Sequence, residues 1–284
     1  MPKNNLFLLF ISLVIVSFSF SCKRKTTEIV ITPDALKNHL QRARIFGNVR
    51  NVETITYYYS DTDSTYYLSN KNIQHYSSDG YLTQVFLLDN NDDTVSKRTL
   101  FYLPNANENY WLEKNYRNFS VTRDTFMYDK NGMKSEEHFW LNDSLLYKVL
   151  YKTDAIGGVI EMKRLLPEYA LTNKIYYNAN GLVECIEEYD PQNTLYKYVT
   201  IEYDNYGDEV NRRAYKTSKE MIEYTYTQYN NEGLLQKVIF EDRLHNIRED
   251  KIYTLHDNSK NWLEEIQLRG KDTVRKRVRN FTYQ

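Results

Sequence analysis

Residues 197–207 read Lys197-Tyr198-Val199-Thr200-Ile201-Glu202-Tyr203-Asp204-Asn205-Tyr206-Gly207, a strand-forming run that ends in a five-residue turn. Aromatic and β-branched side chains fit a pleated, half-buried surface. Asp and Asn then bring side chains that bond their own backbone, and glycine takes the left-handed position that closes a hairpin with a bulge. After the next copy of the turn comes another strand-forming run, Leu234-Leu235-Gln236-Lys237-Val238-Ile239-Phe240. The unit is therefore one β-hairpin, with strands of about 8 to 10 residues.

The same frame recurs along the chain. Tyr76 to Gly80, Tyr128 to Gly132, Thr153 to Gly157, Tyr177 to Gly181, Tyr203 to Gly207 and Tyr229 to Gly233 all place a glycine four residues after Tyr or Thr. Successive glycines lie 52, 25, 24, 26 and 26 residues apart, so one copy is missing near residue 106. A degenerate copy stands there, Asn105-Ala106-Asn107-Glu108-Asn109-Tyr110-Trp111-Leu112-Glu113, and a final one runs from His256 to Glu264. Gly80, Gly132, Gly157, Gly181, Gly207 and Gly233 are thus read as structural turn residues in about eight units of roughly 26 residues. A second set of turns joins the hairpins: Asp93-Thr94-Val95-Ser96-Lys97-Arg98 and Asp272-Thr273-Val274-Arg275-Lys276-Arg277 nearly coincide, with Asn142-Asp143-Ser144 and Gln192-Asn193-Thr194 in the same part. The expected topology is an all-β antiparallel meander running up and down about sixteen times.

Tyr-Asp-x-x-Gly at this period resembles the YD repeats of Rhs-type proteins. Asn261-Trp262 and the closing Arg277-x-x-Asn280-Phe281-Thr282-Tyr283 look like the last repeat of small Rhs-repeat-like lipoproteins of Bacteroidetes, and Phe46-Gly47-Asn48-Val49-Arg50-Asn51-Val52 resembles their opening strand. The resemblance covers roughly residues 46 to 284 and speaks for architecture more than activity. No variable toxin domain follows the repeats, so toxin delivery is not carried over.

Composition narrows the classes. The chain has 284 residues, a net charge of −1 and 26% charged residues, which excludes a basic nucleic-acid binder and a low-hydrophobicity disordered chain. Its 27 tyrosines lean towards strands. Glutamates fall on both parities of Leu182-Val183-Glu184-Cys185-Ile186-Glu187-Glu188-Tyr189, and in Ile222 to Tyr229 one face is mainly Tyr and the other mainly Thr. Without a clean apolar face, a transmembrane barrel is disfavoured. The expected form is an extended, curled sheet with tyrosine rings and Lys or Arg stems over both faces, its curling into a closed tube left open by the sequence.

The N-terminus carries an address. Lys3 precedes an apolar run, Leu6 to Phe20, and then come Ser21, Cys22 and Lys23-Arg24-Lys25. At about 15 residues the run is short for a membrane span of roughly 20 and suits an export signal. The order resembles a bacterial lipoprotein signal, which implies residues 1–21 as signal peptide and Cys22 as the lipidated residue. Residues 22–31 then read as a tether, 32–46 as a segment holding a short amphipathic helix capped by Thr32 (Asp34 to Arg44), and 47–284 as the repeat domain. The resemblance implies an outer-membrane lipoprotein, its side of the membrane left open, and an acylated Cys22 leaves Cys185 no disulfide partner.

Chemistry is sparse. His39, His75, His138, His245 and His256 stand apart without metal-ligand spacing, and no nucleophile elbow, phosphate loop or dinucleotide fingerprint occurs. No catalytic residue, metal, cofactor or nucleic-acid partner is expected. Carboxylate neighbours such as Glu187-Glu188 and Glu264-Glu265 point to opposite faces of a strand. The candidate binding surface is aromatic: Tyr57, Tyr59, Trp111, Trp140, Tyr224, Tyr226 and Trp262. The leading expectation is a non-enzymatic, lipid-anchored envelope protein presenting a binding or scaffold surface to another macromolecule. A glycan-binding lipoprotein using exposed tyrosines is the second reading, and an envelope enzyme the third.

Overall fold

A computed structural model describes residues 45–103 and 108–284. It holds β1 (Val49–Ser60), β2 (Thr65–Tyr76), β3 (Leu82–Leu88), β4 (Thr94–Leu103), β5 (Glu108–Asn115), β6 (Val121–Tyr128), β7 (Lys134–Leu141), β8 (Ser144–Thr153) and β9 (Val159–Leu165). The second half follows as β10 (Ala170–Tyr177), β11 (Val183–Tyr189), β12 (Leu195–Tyr203), β13 (Glu209–Lys216), β14 (Met221–Tyr229), β15 (Leu235–Asp242), β16 (Ile247–His256), β17 (Trp262–Arg269) and β18 (Asp272–Tyr283). Each strand pairs antiparallel with its sequence neighbours, and β1 also pairs with β18. The 18-stranded sheet is thereby a closed barrel.

This corrects the expectation of an extended, curled meander of about eight hairpins. The eight repeat turns all join an even strand to the next odd one, so they count only one rim. At the other rim nine turns join odd to even strands, because each end of the chain supplies a further strand. Those outer strands, β1 and β18, complement each other along Val49–Tyr58 and Arg275–Tyr283. Pairing them removes both sheet edges, which would otherwise expose rows of unpaired backbone groups. No helix occurs among the described residues; the expected helix Asp34 to Arg44 lies outside them, as do the signal segment and Cys22.

The turns show why this sequence makes hairpins. In the copy quoted first, Asp204 Oδ1 accepts from the backbone N–H groups of Tyr206 and Asp208, both at 2.9 Å, and Gly207 N donates to Asp204 O at 3.2 Å. Asp129, Asp154, Asn178, Asn230 and Asp257 repeat the side-chain pattern. The six repeat glycines take φ between +73° and +90°. Register slips by one residue at the tyrosine of the motif, as between Glu202 and Tyr203, which places a bulge at the rim. That tyrosine also reaches back one unit: Tyr203 Oη donates to Val183 O at 2.8 Å, and Tyr177 Oη to Val159 O at 2.9 Å.

The seam sits where the chain ends meet. Asn261, 3% exposed, accepts from Phe46 N (2.7 Å) and donates to Phe46 O (2.8 Å) and Tyr283 Oη (3.0 Å). Val49 and Val52, both 0% exposed, pack there with Ile45, Tyr76, Leu82 and Phe281. A second apolar cluster, Val199, Ile201, Ala214 and Ile222, lies on the β12–β14 wall.

Two outcomes test this account. Gly233 has open space where a Cβ would go, so Gly233→Ala loses about 1 kcal/mol through its positive φ alone, and Gly233→Asn loses less; urea denaturation of both measures the order. Asn261→Asp strips both donors from the seam and sets a carboxylate beside Asp257, so it lowers stability by about 2–4 kcal/mol in the same assay.

Candidate functional site: the inner wall of the barrel

Pairing parity assigns every strand two faces. One face collects Val52, Thr56, Ser96, Leu100, Val149, Val199, Ala214, Glu265 and Gln267, all buried, and is therefore the inner one. As a rule, closed barrels of 16 to 18 strands are too wide for their own side chains to fill, and this barrel has eighteen strands. Composition grades along the inner wall. Near the repeat rim stand Tyr76, Leu82, Tyr203 and Trp262; towards the opposite rim stand Ser96, Lys197, Glu223 and Arg269.

The outer face carries charge where a lipid-facing band would be apolar. Lys97, Arg123, Lys174, Arg213 and Asp250 stand on it at mid-strand. An Arg or Lys at the bilayer midplane costs about 2–4 kcal/mol, and spanning strands need about 9–11 residues. Ten of the eighteen strands here have only 7 or 8 residues.

The densest charge on the inner wall is on β16–β18. Alternate residues of β18, Arg275, Arg277 and Arg279, face inward opposite Tyr58, Thr56 and Thr54 of β1. Arg277 Nη1 lies 3.1 Å from Glu265 Oε1. Arg275 Nη2 donates to the side-chain carbonyl of Gln267, whose Nε2 donates to Glu249 at 2.7 Å, and Arg269 reaches the same glutamate at 2.8 Å. The Arg279 guanidinium lies 3.8 Å over the Trp262 ring, which meets Tyr253 edge-on at 5.4 Å. Burial holds Arg279 down to about 10, and burial together with neighbouring Arg277 also lowers Arg275. The Nε atoms of Arg275 and Arg279 are buried without a hydrogen-bond partner.

Across the barrel, β6–β8 carry a second titratable group. Burial, reinforced by the charge of Glu137, pushes Asp124 up to about 7, and its Oδ1 is buried without a partner. Glu137 accepts from Tyr151 Oη at 2.5 Å and Lys134 Nζ at 2.7 Å.

The aromatic candidates do not form one surface. Trp111 and Trp262 face inward, whereas Tyr57, Tyr59, Trp140, Tyr224 and Tyr226 face outward, and all seven are half-buried. Outside, the rings are taken up by neighbours: Arg123 lies 4.9 Å over Trp140, Arg213 5.8 Å over Tyr224, and Tyr59 packs on Tyr66 at 5.1 Å. Glu187 and Glu264 point outward, and Glu188 and Glu265 inward. Cys185 is a free, half-buried thiol on the outer face, pushed up by burial. Sequence reasoning missed the Arg275-Arg277-Arg279 row. The period-two spacing of arginines was its only signal, and spacing alone does not say which face is concave.

No protein-family model and no curated protein matches the sequence. Among solved structures, a porin-like protein from Bacteroides uniformis ATCC 8492 is similar at 13% identity, with a TM-score of 0.45 over 84% of this chain and 98% of that one. The TcdB2-TccC3-Cdc42 structure is similar at 13% identity and TM-score 0.36, over 81% of this chain and 16% of that one. TcdB2-TccC3 without its hypervariable C-terminal region gives 10%, 0.25, 78% and 15%.

The Asp124 environment sets a pH dependence. A carboxyl whose folded value is raised binds its proton more tightly in the folded protein, so stability is full below the ordinary aspartate value of 3.8 and falls until about pH 7. Asp124→Asn removes that fall; at pH 8 the variant is more stable than the native protein by about 1–2 kcal/mol after allowance for solvent screening, read from urea midpoints at pH 5 and pH 8.

Proposed function

We propose that this protein is an exported, lipid-anchored envelope protein whose barrel stands clear of the bilayer and serves as a non-enzymatic binding vessel. The observation that carries this reading is the contrast between the two faces. The outside is charged at mid-strand, with Trp140 and Tyr224 lying under arginines and one buried unpartnered atom, Arg123 Nε, while the inside holds Asp124 Oδ1 and the Nε atoms of Arg275 and Arg279 buried without partners. A wide barrel with a polar inner half has room and unsatisfied groups for a ligand, whereas a self-sufficient core has neither.

Direction follows from the chain path. Residues 45–48 enter at the repeat rim, beside the carboxyl end, where the inner wall is most apolar. A tether from Cys22 therefore joins the barrel at its apolar end and leaves the polar mouth free. Tyr58, Tyr67, Tyr116, Phe119, Tyr169 and Leu244 stand exposed around that mouth. Sugar stacking on the outer tyrosines is the weaker reading, because Tyr59 packs on Tyr66 and Tyr224 lies under Arg213.

The test has two arms. The native protein partitions into detergent on phase separation and Cys22→Ala into the aqueous phase. The purified native protein gives no conductance steps in a planar bilayer. Stepwise conductance would overturn the vessel reading in favour of a pore, and an aqueous native protein would overturn the anchor.

A further inference from the structure

We propose that the β16–β18 wall of the lumen is a binding site for an extended oligoanion, a linear molecule carrying carboxylate, sulfate or phosphate groups, which docks along Arg275, Arg277 and Arg279. The proposal rests on the vessel reading above and names its ligand class.

The charge balance of the wall comes first. Its inward cations are Arg269, Arg275, Arg277, Arg279 and Lys251, against Glu249, Glu265 and, at the rim opposite Arg269, Asp272. On the β18 side the neighbouring strands add no anion: Thr54, Thr56 and Tyr58 of β1, then Asn70 and Asn72 of β2, are neutral hydrogen-bonding groups; on the β16 side β15 adds Asp242 near the mouth. Of the three β18 arginines only Arg277 has a carboxylate partner, and Glu265 is consumed by it at 2% exposure. Arg275 has a neutral amide and Arg279 an indole face, and each leaves Nε buried and unpaired. Burying a guanidinium costs several kcal/mol unless an anion compensates it, and an unmet buried donor adds to the cost. Nothing in the fold requires that expense, since the wall is held by the β-ladder.

Spacing defines the ligand. Inward residues two apart on a strand lie about 7 Å apart, so Arg275 and Arg279 are separated by about 13 Å with Arg277 between them. That row suits successive charges on an extended chain better than one compact ion. Guanidinium forks bind planar or tetrahedral oxyanions in bidentate fashion, which lysines do not. Trp262 and Tyr253 at the inner end and exposed Tyr58 at the mouth supply apolar faces beside the charges.

The experiment uses the native full-length protein in detergent. Tryptophan fluorescence, sensitive to Trp262, is titrated with tri-galacturonate, tripolyphosphate and a sulfated disaccharide, with neutral maltotriose as control. At least one oligoanion binds, more weakly as salt rises, and maltotriose does not. Arg275→Gln and Arg279→Gln each weaken binding at least tenfold without lowering the urea midpoint of the empty protein, whereas Arg277→Gln lowers it by stranding Glu265. If the first two variants lose stability like the third, the arginines are structural and the proposal fails. It fails equally if no oligoanion binds, or if binding survives both substitutions but is lost in outward-facing Trp140→Ala. In that last case the vessel reading fails as well, whereas the other two outcomes leave it standing.

Discussion

Closure of the sheet by β1 and β18 is the constraint on which the rest depends. An antiparallel meander of repeats is open at both ends by construction, and each further hairpin only moves the exposed edge. Here the two terminal strands bond each other from Val49 to Tyr58, and the seam is locked by a single asparagine that reads both backbone groups of Phe46. Once closed, the sheet has an inside, and every strand residue acquires one of two environments. The most deeply buried side chains among the described residues, Val49 and Val52, are at this seam.

The inside is not a uniform core. An apolar and aromatic layer near the repeat rim supplies the burial that holds the barrel shape, with the motif tyrosines Tyr177 and Tyr203 tied back to the preceding unit. Beyond it the wall turns polar, and the polar groups are incompletely satisfied at two places: Asp124 on β6 and the arginine row on β18. Unpartnered buried polar atoms are costly, and these two places on the concave surface hold three of them, against Arg123 Nε on the outer face. There, charges pair with each other or lie over rings, as Lys174 does over Tyr189 at 4.4 Å.

Much of the local structure was legible. The Tyr-Asp-x-x-Gly frame works through Asx bonds and a positive φ, both encoded within five residues, and Asp204 and Gly207 show it directly. Where glycine is absent the frame was harder to see: Asp190-Pro191-Gln192-Asn193 and Asp89-Asn90-Asn91-Asp92 use the same loop with Asn193 and Asp92 at positive φ, at the opposite rim. The aromatic candidates fared less well. Trp111 and Trp140 lie on opposite faces, because parity within a strand is local while the direction of curvature belongs to the whole sheet.

By itself, then, the sequence determined a series of antiparallel hairpins with their turn chemistry and alternation, because each depends on interactions within a few residues. Tertiary structure alone decided that the series closes, with nine hairpins, and that Arg275, Arg277 and Arg279 face a lumen. The reason is physical: closure pairs segments more than 200 residues apart, Val49 with Tyr283 among them, and only that pairing fixes which face of every strand is concave. An arginine row that reads in the chain as an ordinary solvated strand face becomes, inside a closed barrel, a row of half-buried cations of which only Arg277 is paired with a carboxylate.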